Sequence, residues 1–310
     1  MLRIERTAVL GAGVIGASWA ALFLASGRAV TVFDPDETAE NAVRSCIENA
    51  WPALEELGLT DHATPDAITF VSTAAEAVRD AQFIQENVPE RLPIKHALYA
   101  EIEPALAADA IVSSSTSGLT LEALQDGWRD PAPLILGHPF NPPHLIPLVE
   151  LTANKATGPD ILDRAEAFYD EIGKVTIRIK KGMPGHVANR LQAAVWREAV
   201  HMAVEGVASV EDIDKAMWAG PGLRWAAMGP TTLFHLGAGA GGLQAFCDHF
   251  KDTFNGWWDD LGDPRLDDDV IKKLVDGITA HAQGQSTEEL SARRDQMLTA
   301  LQKATRHLRT

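Results

Sequence analysis

The run VLGAGVIGASWAALFLASG, residues 9–27, limits what this chain can fold into more than any other stretch. Its apolar length would suit a signal peptide or a membrane span, and basic residues precede it in MLRIER, but its glycine spacing argues for something else. Gly11, Gly13 and Gly16 form GxGxxG between a short β-rich run, TAVL (7–10), and a helical run, VIGASWAALFLASG (14–27), which closes at Ser26-Gly27 as a C-cap does. In such a turn the first glycine permits the tight bend and the second lets backbone N–H groups approach a pyrophosphate. The third lets the helix pack closely on the strand. Gly11, Gly13, Val14, Ile15 and Gly16 are therefore the expected phosphate cradle. A second β-rich run, AVTVFD (29–34), ends in Asp34, placed to accept hydrogen bonds from the adenosine ribose hydroxyls. Position 35 is Pro rather than Arg, so nothing waits to neutralise a 2′-phosphate, and NAD is expected over NADP. The alternative is a glycine-rich strand–helix turn that holds no ligand.

The alternation continues through ITFVST (68–73), QFIQEN (82–87), AIVSSST (110–116), LILGHPF (134–140), LVELTAN (148–154) and VTIRIK (175–180), most separated by helical patterns such as 93–106 and 161–173. The expectation is an α/β fold, an N-terminal Rossmann-type doubly wound sheet. Ligands of open parallel sheets bind outside the carboxyl ends of the strands, so Asp34, Glu86, Ser117 and His138 should line one crevice. After Lys181 the pattern changes. Gly182, Pro184 and Gly185 punctuate the chain, and from Val187 only helical periodicity remains, with Val187, Leu191, Val195, Ala199 and Met202 on one apolar face. Ser209 with Asp212 resembles a capping box. The expected organisation is an NAD-binding domain over 1–185 and an all-helical C-terminal domain over 186–310, which serves substrate binding and homodimer formation.

Charge and cysteine content narrow the partners. The 310 residues carry a formal net charge of −16, which repels polyphosphate backbones and anionic membrane surfaces, so neither nucleic acid nor membrane is expected. Cys46 and Cys247 lie far apart and belong to no CxxC pair. That indicates no disulfide framework and no metal site, and fits a reducing cytoplasm.

Residues 135–152, ILGHPFNPPHLIPLVELT, place His138 at a strand end by the cofactor crevice and Glu150 on the next strand, within reach across the sheet end. A carboxylate bonded to one ring nitrogen fixes the imidazole tautomer and stabilises the imidazolium, leaving the other nitrogen to take a proton from an alcohol. Alcohol oxidation by a nicotinamide needs such a base, because the cofactor handles only the hydride. His144, His201 and His281 read as surface or structural histidines.

Taken together, GAGVIG with Asp34, ENVPERLPIK (86–95), SSTSG (114–118), GHPFNPPHLIPLVE (137–150) and PGHVANRL (184–191) resemble the 3-hydroxyacyl-CoA dehydrogenase superfamily over nearly the whole chain. The resemblance implies a His–Glu catalytic dyad at His138 and Glu150. It implies that Ser117 and Asn189 contact the reacting oxygen, and that Glu90 and Lys95 stand near the nicotinamide ribose and the substrate entry. Two segments depart from enzymes of acyl-CoA: GPGLRWAAMGP (220–230) replaces a GxGxPMGPFEL-like segment, and the polar end of the chain lacks a GFYxY-like motif. GLRW, NAWPALEELGL (49–59) and FIQENVPERL (83–92) are most similar to the branch of L-carnitine and L-gulonate dehydrogenases, which act on free 3-hydroxy carboxylates. Arg224 can hold a carboxylate through two parallel hydrogen bonds, or else serve a surface salt bridge. Trp196, Trp218, Trp225, Trp257 and Trp258 offer aromatic faces to a quaternary ammonium, or pack a core. The expected substrate is a small L-3-hydroxy acid. A 3-hydroxyacyl-CoA substrate and a crystallin-like NAD-binding protein without turnover are the alternatives.

Overall fold

The computed structural model describes residues 3–305. By contact the chain divides into two compact units: one runs to Val187 and also takes in the segment from Arg293, and the other is Ala188–Ala292.

The first unit is built on strands β1 (Arg6–Leu10), β2 (Ala29–Phe33), β3 (Ile68–Phe70), β4 (Phe83–Glu86), β5 (Ile111–Ser114), β6 (Leu134–Pro139), β7 (Leu148–Thr152) and β8 (Val175–Arg178). They form a single sheet in the order β3-β2-β1-β4-β5-β6-β7-β8. All its pairings are parallel except β6 with β7. The order reverses beside β1, which opens a crevice at the carboxyl ends of β1 and β4. Helices α1 (Val14–Ala25), α2 (Ala39–Glu56), α3 (Ala74–Val78), α4 (Leu92–Ile102), α5 (Leu121–Gln125) and α6 (Ile161–Glu171) flank it.

Alternate side chains of a strand point to opposite faces, and both faces here are buried. Val9, Phe83, Ile111 and Ile135 join Trp19, Phe23 and Phe168 in one core, whereas Ala8, Leu10, Ile84 and Val112 join Leu98, Tyr99 and Leu124 in the other. The apolar run at 14–25 is thus a helix buried almost all round rather than a membrane span; no helix among the described residues is long and apolar enough to cross a bilayer. Its C-terminus closes as the sequence suggests, with Gly27 at φ 77°.

The second unit consists of α7 (Ala188–Val204), α8 (Val210–Ala219), α9 (Pro221–Ala227), α10 (Pro230–Gly237), α11 (Gly242–Asp260) and α12 (Asp268–Ala282), followed by the first turns of α13 (Thr287–Thr305). Ser209 caps α8 by accepting a hydrogen bond from Asp212 N at 3.1 Å. Phe234, Phe246, Phe250 and Phe254 stack between α10 and α11. The apolar stripe of α7 is largely uncovered, with Leu191 60% and Val195 36% exposed, and the neighbouring Trp196 is exposed too. Trp218, Trp257 and Trp258 are exposed as well.

The sequence places the helical domain over 186–310, but the far end of α13 packs with the first unit. There Gln302 Nε2 donates to Leu145 O at 2.5 Å and Lys303 pairs with Glu56 at 3.4 Å. Helical periodicity identifies such a segment without saying which neighbours it meets.

Candidate active site

The glycine turn is shaped by three different constraints. Gly11 lies at φ 85°, in the left-handed region, and its N–H donates to Phe33 O at 2.9 Å. At Gly16 a Cβ would stand 1.9 Å from Gly11 O, so the helix can approach the strand only without one. At Gly13 a Cβ would meet no protein atom within 4 Å. Protein packing does not demand a glycine there, and the open space beside it leaves room for a pyrophosphate. Helix α1 starts at the next residue with no side-chain cap and no acidic group in its first turn, and Val14 is 73% exposed, which suits an anion at the helix N-terminus. Asp34, just past β2, is stitched to this turn: its Oδ2 accepts from Ala12 N at 2.6 Å and its Oδ1 from Asp36 N at 2.9 Å. Each oxygen keeps a further lone pair for a ribose hydroxyl. These residues fit a dinucleotide.

Glu86 ends β4 fully buried. Its Oε1 accepts from Lys95 Nζ at 2.6 Å and Val88 N at 2.8 Å, and its Oε2 from Tyr99 OH at 2.9 Å and Ser114 Oγ at 2.6 Å. Burial, reinforced by the Glu86 charge, pushes the Tyr99 phenol well above its ordinary value. A buried ion pair survives only when its remaining lone pairs are satisfied, and Glu86 meets that condition. Lys95, one of the residues singled out from sequence, is itself buried and spends its ammonium on Glu86 and on Val88 O at 3.2 Å, with Glu90 Oε2 at 3.8 Å.

Glu90 joins the loop after β4 to the loop after β5. Its Oε1 accepts from the Thr116 hydroxyl, from Ser117 N at 3.0 Å and from Gly118 N at 2.8 Å. Burial pushes its carboxyl up, but those donors and the Lys95 charge outweigh burial and hold it below its usual range. The Ser117 backbone is fixed in this way while the residue remains exposed.

The antiparallel register of β6 and β7 sets His138 directly opposite Glu150. Directly opposed residues of such a pair project to the same face with neighbouring Cβ atoms. His138 Nδ1 lies 2.9 Å from Glu150 Oε2, with side chains 7% and 0% exposed. Glu150 Oε1 accepts from Val187 N at 2.9 Å. With Nδ1 donating to the carboxylate, the lone pair of neutral His138 sits on Nε2. Burial pulls the imidazole below its ordinary value; the hydrogen bond to Glu150 opposes that pull and nearby His186 adds to it. Glu90 also favours the protonated ring.

Two residues of this neighbourhood escape sequence reasoning. Thr116 lies within SSTSG but shows its role only through Glu90. His186, within PGHVANRL, is 6% exposed, adopts φ 51°, and lies 5.1 Å from His138 between ring centroids. Neither of its ring nitrogens has a hydrogen-bond partner among the described residues. Leaving buried polar atoms unpaired costs about 1–3 kcal/mol each. A histidine flanked by glycine at a domain boundary is the only hint the sequence offers. The remaining expected residues, Asn189 and Arg224, belong to the second unit: Asn189 is the second residue of α7 and half-buried, and Arg224 lies on α9 and is exposed.

Residues 6–182 match the family model for the 3-hydroxyacyl-CoA dehydrogenase NAD-binding domain, and 185–276 match the model for the C-terminal domain of that family. An L-carnitine dehydrogenase from Streptomyces griseus is 45% identical over 98% of this chain and 91% of its own length. One from Oceanobacillus iheyensis is 41% identical over 96% and 97%. Among solved structures, 5-formyl-3-hydroxy-2-methylpyridine 4-carboxylic acid 5-dehydrogenase, an NAD+ dependent dismutase, superposes with TM-score 0.83 at 29% identity, covering 97% of this chain and 98% of that one. Sheet order, glycine turn and these likenesses together define an NAD-binding dehydrogenase of the doubly wound α/β type. More narrowly, the chain belongs to the 3-hydroxyacyl-CoA dehydrogenase family.

Proposed function

We propose that this dehydrogenase oxidises the 3-hydroxyl of L-carnitine to the 3-oxo acid, 3-dehydrocarnitine, with NAD as acceptor. The observation that carries the reading is the buried His138–Glu150 pair at 2.9 Å, in a chain 40–45% identical over nearly its full length to enzymes named L-carnitine dehydrogenase. His138 Nε2 takes the hydroxyl proton, and Glu150 holds the ring in the Nε2-basic tautomer and stabilises the imidazolium that forms. Bound NAD supplies the acceptor for the C3 hydride. Ser117 Oγ and the Asn189 amide steady the reacting oxygen, and Arg224 pairs with the substrate carboxylate. Gly11, Gly13, Val14, Ile15 and Gly16 cradle the pyrophosphate and Asp34 takes the adenosine ribose, with Pro35 in the following position favouring NAD over NADP. Glu90, with Lys95 beneath it, shapes the wall beside the nicotinamide ribose. Exposed apolar residues such as Leu191 and Trp196 support a homodimer through the second unit, and the two free cysteines suit the cytoplasm.

The test compares NADH formation from L-carnitine, L-gulonate and 3-hydroxybutyryl-CoA at alkaline pH, where proton release favours oxidation. L-Carnitine should give the highest kcat/KM. A clear preference for the thioester would overturn the substrate, and a panel without any turnover would leave only a dinucleotide-binding protein. His138→Gln should lower kcat about 10²–10⁴-fold with NAD affinity intact, as loss of a general base does.

A further inference from the structure

His186 is a histidine that the protein leaves incomplete. Its ring is 6% exposed, both nitrogens lack partners among the described residues, and it lies 5.1 Å from the His138 ring at an interplanar angle of 42°. Its backbone sits at φ 51°, a left-handed conformation uncommon for a residue with a side chain. The flanking bonds hold it there: His186 N donates to Met183 O at 3.1 Å, and the next N–H, of Val187, donates to Glu150 Oε1 at 2.9 Å. The carboxylate that orients the base therefore also fixes the segment that carries this second imidazole. Unpaired polar atoms kept in an unusual conformation beside a reacting centre are the pattern of a site that its ligand completes.

From these features we propose that His186 is a specificity-determining residue whose ring N–H donates a hydrogen bond to the carboxylate of a free 3-hydroxy acid. The inference rests on the function proposed above and adds to it a residue that chooses between acid and ester. A 3-hydroxy acid with its hydroxyl on His138 Nε2 carries its carboxylate two carbons away from the reacting carbon, a reach comparable with the spacing of two adjacent imidazoles. Of the groups flanking that carbon in carnitine, the quaternary ammonium has no lone pair to accept a hydrogen bond; the carboxylate has several. A charged acceptor also strengthens the bond relative to a neutral ester or thioester carbonyl. Gly185 precedes the ring at φ 76°, so two consecutive left-handed residues form the bend that holds the imidazole beside His138.

The experiment compares wild type with His186→Phe, which keeps a flat ring without nitrogens, and His186→Gln, which restores a donor. Two measurements are made: kcat/KM for L-carnitine and for its methyl ester, and the calorimetric Kd of L-carnitine for the enzyme–NADH complex. For His186→Phe we expect kcat/KM with the free acid to fall about 10–100-fold, the range for a hydrogen bond to a charged group, with Kd weakened in parallel and the ester little affected. His186→Gln should recover part of the loss. An unchanged His186→Phe, or an equal loss on acid and ester, overturns the assignment. A wild type that turns over no free 3-hydroxy acid removes the proposed function and this inference with it, an outcome visible before any variant is compared.

Discussion

Replacing Glu150 by Gln tests the dyad more sharply than removing the histidine, because the two oxygens of Glu150 face different donors. Oε1 accepts from Val187 N and Oε2 from His138 Nδ1, each at 2.9 Å, inside a site where Glu150 is fully buried. A glutamine there has one acceptor and one donor end. The Val187 amide can only donate, so the carbonyl of the new side chain must face it and the NH2 group must face His138. Nδ1 then has to become the acceptor, which moves the ring proton to Nε2, the atom that must receive the substrate proton. The shape of the site barely changes while the base is lost. Restoring the working tautomer would set two donors against each other in a buried site and would forfeit the carboxylate that stabilises the imidazolium. A kcat loss of about 10²–10⁴-fold follows, equivalent to about 3–5 kcal/mol on the barrier. Steady-state NADH formation gives kcat, and fluorescence titration gives the NAD Kd, which should stay within about twofold because no contact of the glycine turn is touched. A Glu150→Gln enzyme that keeps kcat within tenfold of wild type would refute the reasoning, since the Nε2 lone pair would then not matter.

Three further outcomes are expected. Gly13→Ala should leave the urea midpoint unchanged, because its Cβ meets no protein atom within 4 Å, yet weaken NAD binding at least about tenfold by filling the pyrophosphate space; an unaltered Kd would remove Gly13 from the cradle. Glu86→Gln should cost about 3–5 kcal/mol by urea denaturation, the usual penalty for breaking a buried ion pair, since it leaves Lys95 charged without its partner at 2.6 Å; a change under 1 kcal/mol would contradict the buried network. His144 is held at about 4, below its ordinary 6.5, chiefly by burial. As pH falls from 6.5 towards 4 the unfolded chain takes up a proton that the folded chain refuses, so stability is present above 6.5 and is lost across that window, by about 3 kcal/mol. His144→Gln should flatten that part of the stability–pH curve, and an unchanged slope would place the acid sensitivity elsewhere.

The parts of this protein visible in its sequence are those whose partners lie along the chain or are dictated by strand periodicity. Gly11, Gly13 and Gly16 are read from spacing because strand, turn and helix are contiguous, and Asp34 follows from the strand that comes next. His138 and Glu150 lie twelve positions apart on neighbouring strands, and the structure sets them in direct register. Sequence alone does not reveal that Lys95 is buried against Glu86, that Glu90 is gripped by the Thr116 hydroxyl and two backbone N–H groups, or that His186 lies beside the His138 imidazole. Nor does it show that the α7 stripe is exposed and that the end of α13 packs with the first unit. Periodicity specifies which face of an element is apolar, because local backbone geometry alone fixes where side chains point. What covers that face, and which donor fills each lone pair of a buried carboxylate, depends on loops that only the packed structure brings together.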